Sequence, residues 1–257
     1  MKINLISGLS AVVVISLFSL QLLCAERASY VVGVENIEYL PYYEGSDNNN
    51  SRFTGYSAQL LKLFGRKYDY NIVFYPTPLN RLYKDFITQS YLDFKYPDNP
   101  QWQKSFKDIY TKTKQIVYSK PFLTTVTGIA SLNPDTQLSD CTRFGKVRGF
   151  TSQRFKAYFE KEGIAVIETA DTTELISLLL LNRINCIYIS RDVLNYKLRE
   201  KLNVTTDVYF HELLGVDVQD FHVSTINHPE IITQFNQFLA TYSEEIQELK
   251  EKFSIGQ

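Results

Sequence analysis

Tyr118-Ser119-Lys120-Pro121-Phe122-Leu123-Thr124-Thr125 stands near the middle of the chain and reads as the place where one half of the fold ends and another begins. Pro121 has no backbone N–H to donate and biases Lys120 away from the helical region, while Phe122 to Ile129 is β-branched and extended in character. That is the chemistry of a strand crossing between two units, not of a helix interior.

Toward the N-terminus, Tyr30-Val-Val-Gly-Val34 is a continuous apolar run, as expected of a strand buried on both faces. Glu44 to Arg52 is a polar loop. Thr54-Gly55-Tyr56-Ser57 then opens an amphipathic helix with Leu60, Leu61, Phe64 and Tyr68 on one face. Asn71 to Tyr75 predicts a second strand, the Pro76-Thr77-Pro78 entry a helix carrying Leu79, Leu82, Tyr83 and Phe86, and Leu92 to Tyr96 a short third strand. This rhythm means a parallel sheet. Pro97-Asp98-Asn99-Pro100-Gln101-Trp102 follows as a rigid polar turn holding the single Trp; it either contacts a ligand at the carboxyl end of its strand or is a structured loop stapled by Trp102.

Beyond the crossing strand the rhythm restarts. Lys146-Val147-Arg148 reads as a strand running into Gly149-Phe150-Thr151-Ser152, whose hydroxyls can cap a helix bearing Phe155, Tyr158 and Phe159, and whose free amides suit an anion. Ile164 to Ile167 predicts the next strand, Asp171-Thr172-Thr173-Glu174 a capping-box helix start, Asn185 to Ser190 a third buried strand, and Phe221 to Ile226 a return strand. Helical spacing of Ile231, Ile232, Phe235, Phe238, Leu239 and Tyr242, then of Ile246, Leu249 and Phe253, closes the chain.

The 257 residues can form one large domain or two ordinary ones, at 44% hydrophobic and 21% charged. A formal net charge of −1 with no basic run excludes nucleic acid as a partner. The 18 Tyr and 17 Phe are an unusual aromatic content; most of them are expected to serve packing, while phenols also suit half-wet ligand clefts. Lys2, the apolar run Ile3 to Cys24 and small Ala25 fit a secretory signal peptide over residues 1–25, with an uncleaved membrane anchor or lipid attachment at Cys24 as the alternatives. Cleavage leaves Cys141 and Cys186, an even pair that in an exported chain suits a disulfide; two separately buried thiols are the alternative. No spacing resembles a metal site, and no cofactor motif is present.

The order of landmarks resembles the type II periplasmic solute-binding proteins, the family that includes amino-acid-binding components of ABC importers. The resemblance runs from about Tyr30 to Phe253 and is carried by Tyr39-Leu40-Pro41-Tyr42, Thr54-Gly55-Tyr56, Leu92-Asp93-Phe94, Tyr118-Ser-Lys-Pro-Phe122, Gly145-Lys146-Val147-Arg148-Gly149-Phe150-Thr151, and Asn236 with Leu239. It implies an α/β fold of two lobes, each a mostly parallel sheet flanked by helices, with a ligand cleft between them. Lobe one would be residues 28–122 and 221–257, lobe two 123–220. It implies a monomer in the periplasm that captures a small polar metabolite, amino-acid-like or another small anion, for a permease of the inner membrane. Tyr39, Tyr42, Asp98, Asn99, Trp102, Lys112, Arg148, Thr151, Ser152 and Ser190 would line the cleft. With the family's strand order, the strands near Lys146 and near Asn185 lie side by side and parallel, which brings Cys141 and Cys186 within bridging distance.

Two positions depart from the amino-acid binders. Lys112 stands where they place an Arg for the α-carboxylate, and Ser190 where they place an Asp for the ammonium. Lys is a point charge without the planar fork, and Ser cannot neutralise an ammonium. The family's fold also hosts sensors and a dehydratase; an enzyme would draw its acid or base from Asp98, Lys112 or Arg148, and these form no catalytic pair recognisable in the sequence. No catalytic role is therefore expected.

Overall fold

The structure, a computed structural model, describes residues 27–46, 52–110, 115–150, 153–202 and 206–256. The first half of the chain supplies β1 (Ser29–Glu35), β2 (Glu38–Tyr39), β3 (Tyr43–Ser46), β4 (Arg52–Thr54), α1 (Tyr56–Tyr68), β5 (Asn71–Thr77), α2 (Leu79–Thr88), β6 (Phe94–Asp98), α3 (Lys104–Tyr110), β7 (Val117–Tyr118) and the crossing strand β8 (Leu123–Ser131). The second half adds β9 (Phe144–Val147), α4 (Gln153–Glu162), β10 (Val166–Thr169), α5 (Thr172–Leu180), β11 (Cys186–Ser190), α6 (Arg191–Tyr196) with a π-helical turn over Lys197–Leu202, β12 (Tyr209–Phe210), β13 (Val216–Thr225), α7 (Pro229–Thr241) and α8 (Ser243–Lys252).

These strands form one continuous path, β10-β9-β11-β8-β13-β6-β1-β5, with β2-β3-β4 as a separate small sheet. At one end β1 lies between β5 and β6 and is parallel to both, which is why Tyr30 to Val34 is apolar without alternation. At the other, β9 lies parallel between β10 and β11. Two antiparallel strands join the ends. β13 pairs with β8 from Val216 through Phe221, then changes partners and pairs with β6 and β7 over His222 to Thr225. Phe122 N–H, just ahead of β8, donates to Phe221 O at 3.3 Å, so the two crossing strands run side by side. β13 begins five residues before the expected Phe221; Val216-Asp-Val-Gln219 alternates apolar and polar residues, and its partners on β8 lie 88 to 94 positions away in sequence.

Packing follows the apolar faces. Leu60, Leu61 and Phe64 of α1 meet Val32 of β1 and Ile231, Ile232 and Phe235 of α7 in one core. A second cluster holds Ile129, Phe144, Phe155, Phe159 and Tyr188 around Cys141 and Cys186. Those two cysteines form a disulfide with their Cα atoms 5.3 Å apart. The neighbouring register explains it: Cys186 opens β11 beside Phe144 of β9, and Cys141 lies three residues before Phe144. The start of α5 is close to the capping box its sequence suggests. Asp171 accepts from the Glu174 N–H at 2.8 Å, and the Glu174 carboxylate accepts from Ala170 N–H, one residue earlier than the motif requires.

Candidate functional site

The tyrosine turn between β2 and β3 is built by α1. The first free amides of this helix, on Tyr56 and Ser57, donate to the carbonyls of Pro41 (3.1 Å) and Tyr42 (2.9 Å), so the helix N-terminus is satisfied by the turn it must hold. Gly55 is required between them. It sits at φ 91°, and a Cβ there would meet Tyr42 O and Tyr43 Cα at 2.8 Å.

From that turn Tyr42 reaches the second half of the sheet. Its hydroxyl lies 2.9 Å from Ser190 Oγ, at the carboxyl end of β11, and donates to Asp192 Oδ2 at 3.1 Å. Tyr39 packs 5.4 Å from Tyr42 and 5.2 Å from Phe150, ring to ring. Burial pushes both phenols up, Tyr42's further with Tyr39 and Asp192 adding to it. Both rings are buried, where the composition suggested half-wet surfaces; Tyr42 tolerates this because its hydroxyl has partners in Ser190 and Asp192. Nearby, Lys197 Nζ contacts Glu38 Oε1 at 2.6 Å and Thr173 Oγ1 at 2.8 Å, a further link between the halves.

Asp98 ends β6, beside the end of β1, and is fully buried. Its Oδ1 accepts from Lys107 Nζ (2.7 Å), Asn99 N–H (2.8 Å) and the Tyr83 hydroxyl (3.4 Å), its Oδ2 from the Ser224 hydroxyl (2.6 Å), and Lys95 Nζ stands 3.5 Å away. Burial pushes the carboxyl up, but the Lys95 and Lys107 ammoniums outweigh it and hold Asp98 below its ordinary value. Burial holds Lys107 below the usual lysine range, with Lys95 adding to the shift and Asp98 opposing it. Glu35, at the end of β1, accepts from the Tyr43 hydroxyl at 2.6 Å, and burial raises its carboxyl against the pull of Lys95.

The expected contacts thus divide. Tyr42 meets Ser190, and Tyr39 packs on Phe150, across the two halves. Asn99 and Trp102 tie the β6 turn to β13: Asn99 Nδ2 donates to Asp220 O at 2.8 Å, and Trp102 Nε1 to Gln219 Oε1 at 3.1 Å with its ring 5.1 Å from Phe221. Arg148 is exposed and pairs at 3.9 Å with Glu168, which Lys146 approaches to 2.9 Å. Lys112, Thr151 and Ser152 lie outside the described residues, as does the expected signal peptide over residues 1–25. Glu35, Lys95, Lys107 and Asp192 were not anticipated. Lys95 left a trace, a charge within an apolar strand run; Lys107 left none, because its partner depends on where α3 docks. Among the described residues no group of three or more His, Cys, Asp or Glu is arranged to hold a metal.

No protein-family model matches the sequence, and no curated protein matches it. Solved structures match its fold. A substrate-binding protein of an ABC uptake transporter from Streptococcus pneumoniae, with bound histidine, superposes with a TM-score of 0.64 at 16% identity over 88% of this chain and 92% of that one. The fold is that of the type II periplasmic binding proteins. A histidine kinase sensor domain similar to periplasmic binding proteins gives 0.66 at 16% over 88% and 96%, and an ancestral amino-acid-binding protein, a precursor of cyclohexadienyl dehydratase, gives 0.62 at 17% over 88% and 96%. In this chain the tyrosine turn meets the carboxyl end of β11 through Tyr42 and Ser190.

Proposed function

We propose that the protein is a periplasmic solute-binding protein, exported with loss of residues 1–25, which captures a small polar or anionic metabolite between lobes of residues 28–122 with 221–257 and 123–220 and presents it to an ABC importer. The observation that carries this reading is the meeting of Tyr42, in the turn of the small β2-β3-β4 sheet, with Ser190, 148 positions away in sequence at the carboxyl end of β11. A cleft whose two walls close on hydroxyl partners can hold a ligand without any catalytic group. Thr151, Ser152 and the adjacent amides would receive a negative group, with Lys112 and Arg148 adding charge at the rim.

A sensor module that reports occupancy to another protein is the second reading, supported by the likeness to the kinase sensor domain. Co-purification with a permease, or with a signalling partner, separates the two. Dehydratase-like chemistry is disfavoured by Asp98, which is fully buried and held by Lys107 and the Ser224 hydroxyl of its own chain. Thermal-shift screening of the purified protein against small metabolites tests the reading: at 100 times its Kd a ligand of the folded state adds about 2.7 kcal/mol of stability. Thr151→Ala should then weaken binding of the metabolite found by about 1–3 kcal/mol in calorimetry, and unchanged affinity removes Thr151 from the site.

A further inference from the structure

We propose that the tyrosine turn is a built-in latch on the cleft: a solute enters only after Tyr42 lets go of Ser190 and Asp192. This rests on the solute-binding reading above and concerns the regulation of the same site. Tyr42 and Ser190, which the family resemblance assigns to the ligand, are bonded to each other instead, and at 2.9 Å nothing fits between their hydroxyl oxygens. Both residues are buried, at 0% and 1% exposed, so the contact is shut to water as well.

The sheet does not impose this contact. β2-β3-β4 shares no strand with the path that carries β11, so side chains hold the turn against it. The short helix α6, which follows β11, receives most of them. Its Asp192 accepts through Oδ2 from the Tyr42 hydroxyl at 3.1 Å and from the Gly256 N–H at 3.0 Å. Lys197, just past the helix, reaches Glu38 at 2.6 Å. Tyr39 adds an apolar contact, its ring 5.2 Å from that of Phe150 beyond β9.

The two donors to Asp192 belong to one packed unit. The first amides of α1 hold the tyrosine turn, and Tyr56 of the same helix packs 6.2 Å, ring to ring, from Phe253, three residues before Gly256. A grip from two points of one unit on one carboxylate is released as a whole, which makes Asp192 the striker of the latch. Such a device competes with the solute, because the apparent affinity of a site is its intrinsic affinity reduced by the fraction of molecules that are open. A hydrogen bond to a carboxylate is about twice as strong as one between neutral groups. Removing the Tyr42 hydroxyl while keeping its ring should therefore raise the ratio of open to closed molecules about tenfold.

Thiol labelling measures that ratio. Thr127 stands opposite Ser190 in the β8–β11 register, so its side chain lies on the same face of the sheet, and it is buried. Thr127→Cys in a Cys24→Ser background presents one free thiol, since Cys141 and Cys186 are joined, and its rate of reaction with a maleimide follows the open fraction. Tyr42→Phe should speed this labelling about tenfold. Tyr70→Phe, which removes a hydroxyl bonded to Gln234 at 2.6 Å away from the latch, should leave it unchanged. Ala58→Cys, buried in α1, reports unfolding, and Tyr42→Phe should not speed its reaction. Asp192→Asn should act as Tyr42→Phe does, and it carries the test where that variant does not fold. A Thr127→Cys rate unchanged by Tyr42→Phe, or an equal acceleration at Ala58→Cys, overturns the latch. None of these measurements uses a solute, so their failure leaves the solute-binding reading to the metabolite screen.

Discussion

Lys197 and Glu38 are unequal partners, and exchanging each for Met should reveal it. The Lys197 side chain is 1% exposed, that of Glu38 30%, and their Nζ–Oε1 distance is 2.6 Å. Glu38→Met leaves a buried ammonium with only the neutral Thr173 hydroxyl, 2.8 Å away, as its remaining side-chain acceptor. Breaking a buried pair in this sense costs about 3–5 kcal/mol, and the lower end applies because removing a partly exposed Glu38 admits water. Lys197→Met removes the buried charge, replaces the lysine stem with a side chain of similar volume, and leaves a carboxylate that solvent can reach, for about 0–1 kcal/mol. At roughly 2–4 °C per kcal/mol for a chain of this size, E38M should melt about 6–12 °C below wild type and K197M within about 4 °C of it. Urea titration followed by fluorescence of the single tryptophan, Trp102, gives the same comparison as free energies. If K197M costs as much as E38M, the pair is not governed by desolvation of the lysine, and the asymmetry inferred from burial is wrong.

The Cys141–Cys186 bridge, with a sequence separation of 45, should contribute about 4 kcal/mol by loop entropy, read as the difference in unfolding free energy between oxidised and reduced protein; a difference below about 1 kcal/mol would contradict it. Asp98→Asn should cost about 3 kcal/mol at neutral pH, since it leaves Lys95 and Lys107 without their anion. Because the folded carboxyl lies below its ordinary 3.8, its stabilisation is complete above that value and is lost as pH falls through the lowered one. The stability gap between wild type and D98N should therefore close on acidification, and a gap independent of pH would remove the charge from the explanation.

Local chemistry determined much of this protein. Continuous apolar runs marked β1 and β11, the spacing of Leu60, Leu61 and Phe64 marked α1, and Pro121 marked the approach to the crossing strand, because each is a property of neighbours within a few residues. The cysteine pair was legible in the same way once the strand order was assumed. What only the tertiary structure decided are partners far apart in sequence. A turn reaching Trp102 was legible, although Pro97 and Asp98 belong to β6 and not to the turn; that α3 follows it and turns Lys107 back onto Asp98 was not, since a seven-residue helix has too little periodicity to read. Nor could the sequence say that Asp192, two residues beyond the expected Ser190, is held by Tyr42 and the C-terminal Gly256. Residue types state which charges exist; whether a carboxylate is open to a ligand or already satisfied depends on which donors the packing brings within 3 Å of it, and that is a property of the whole fold.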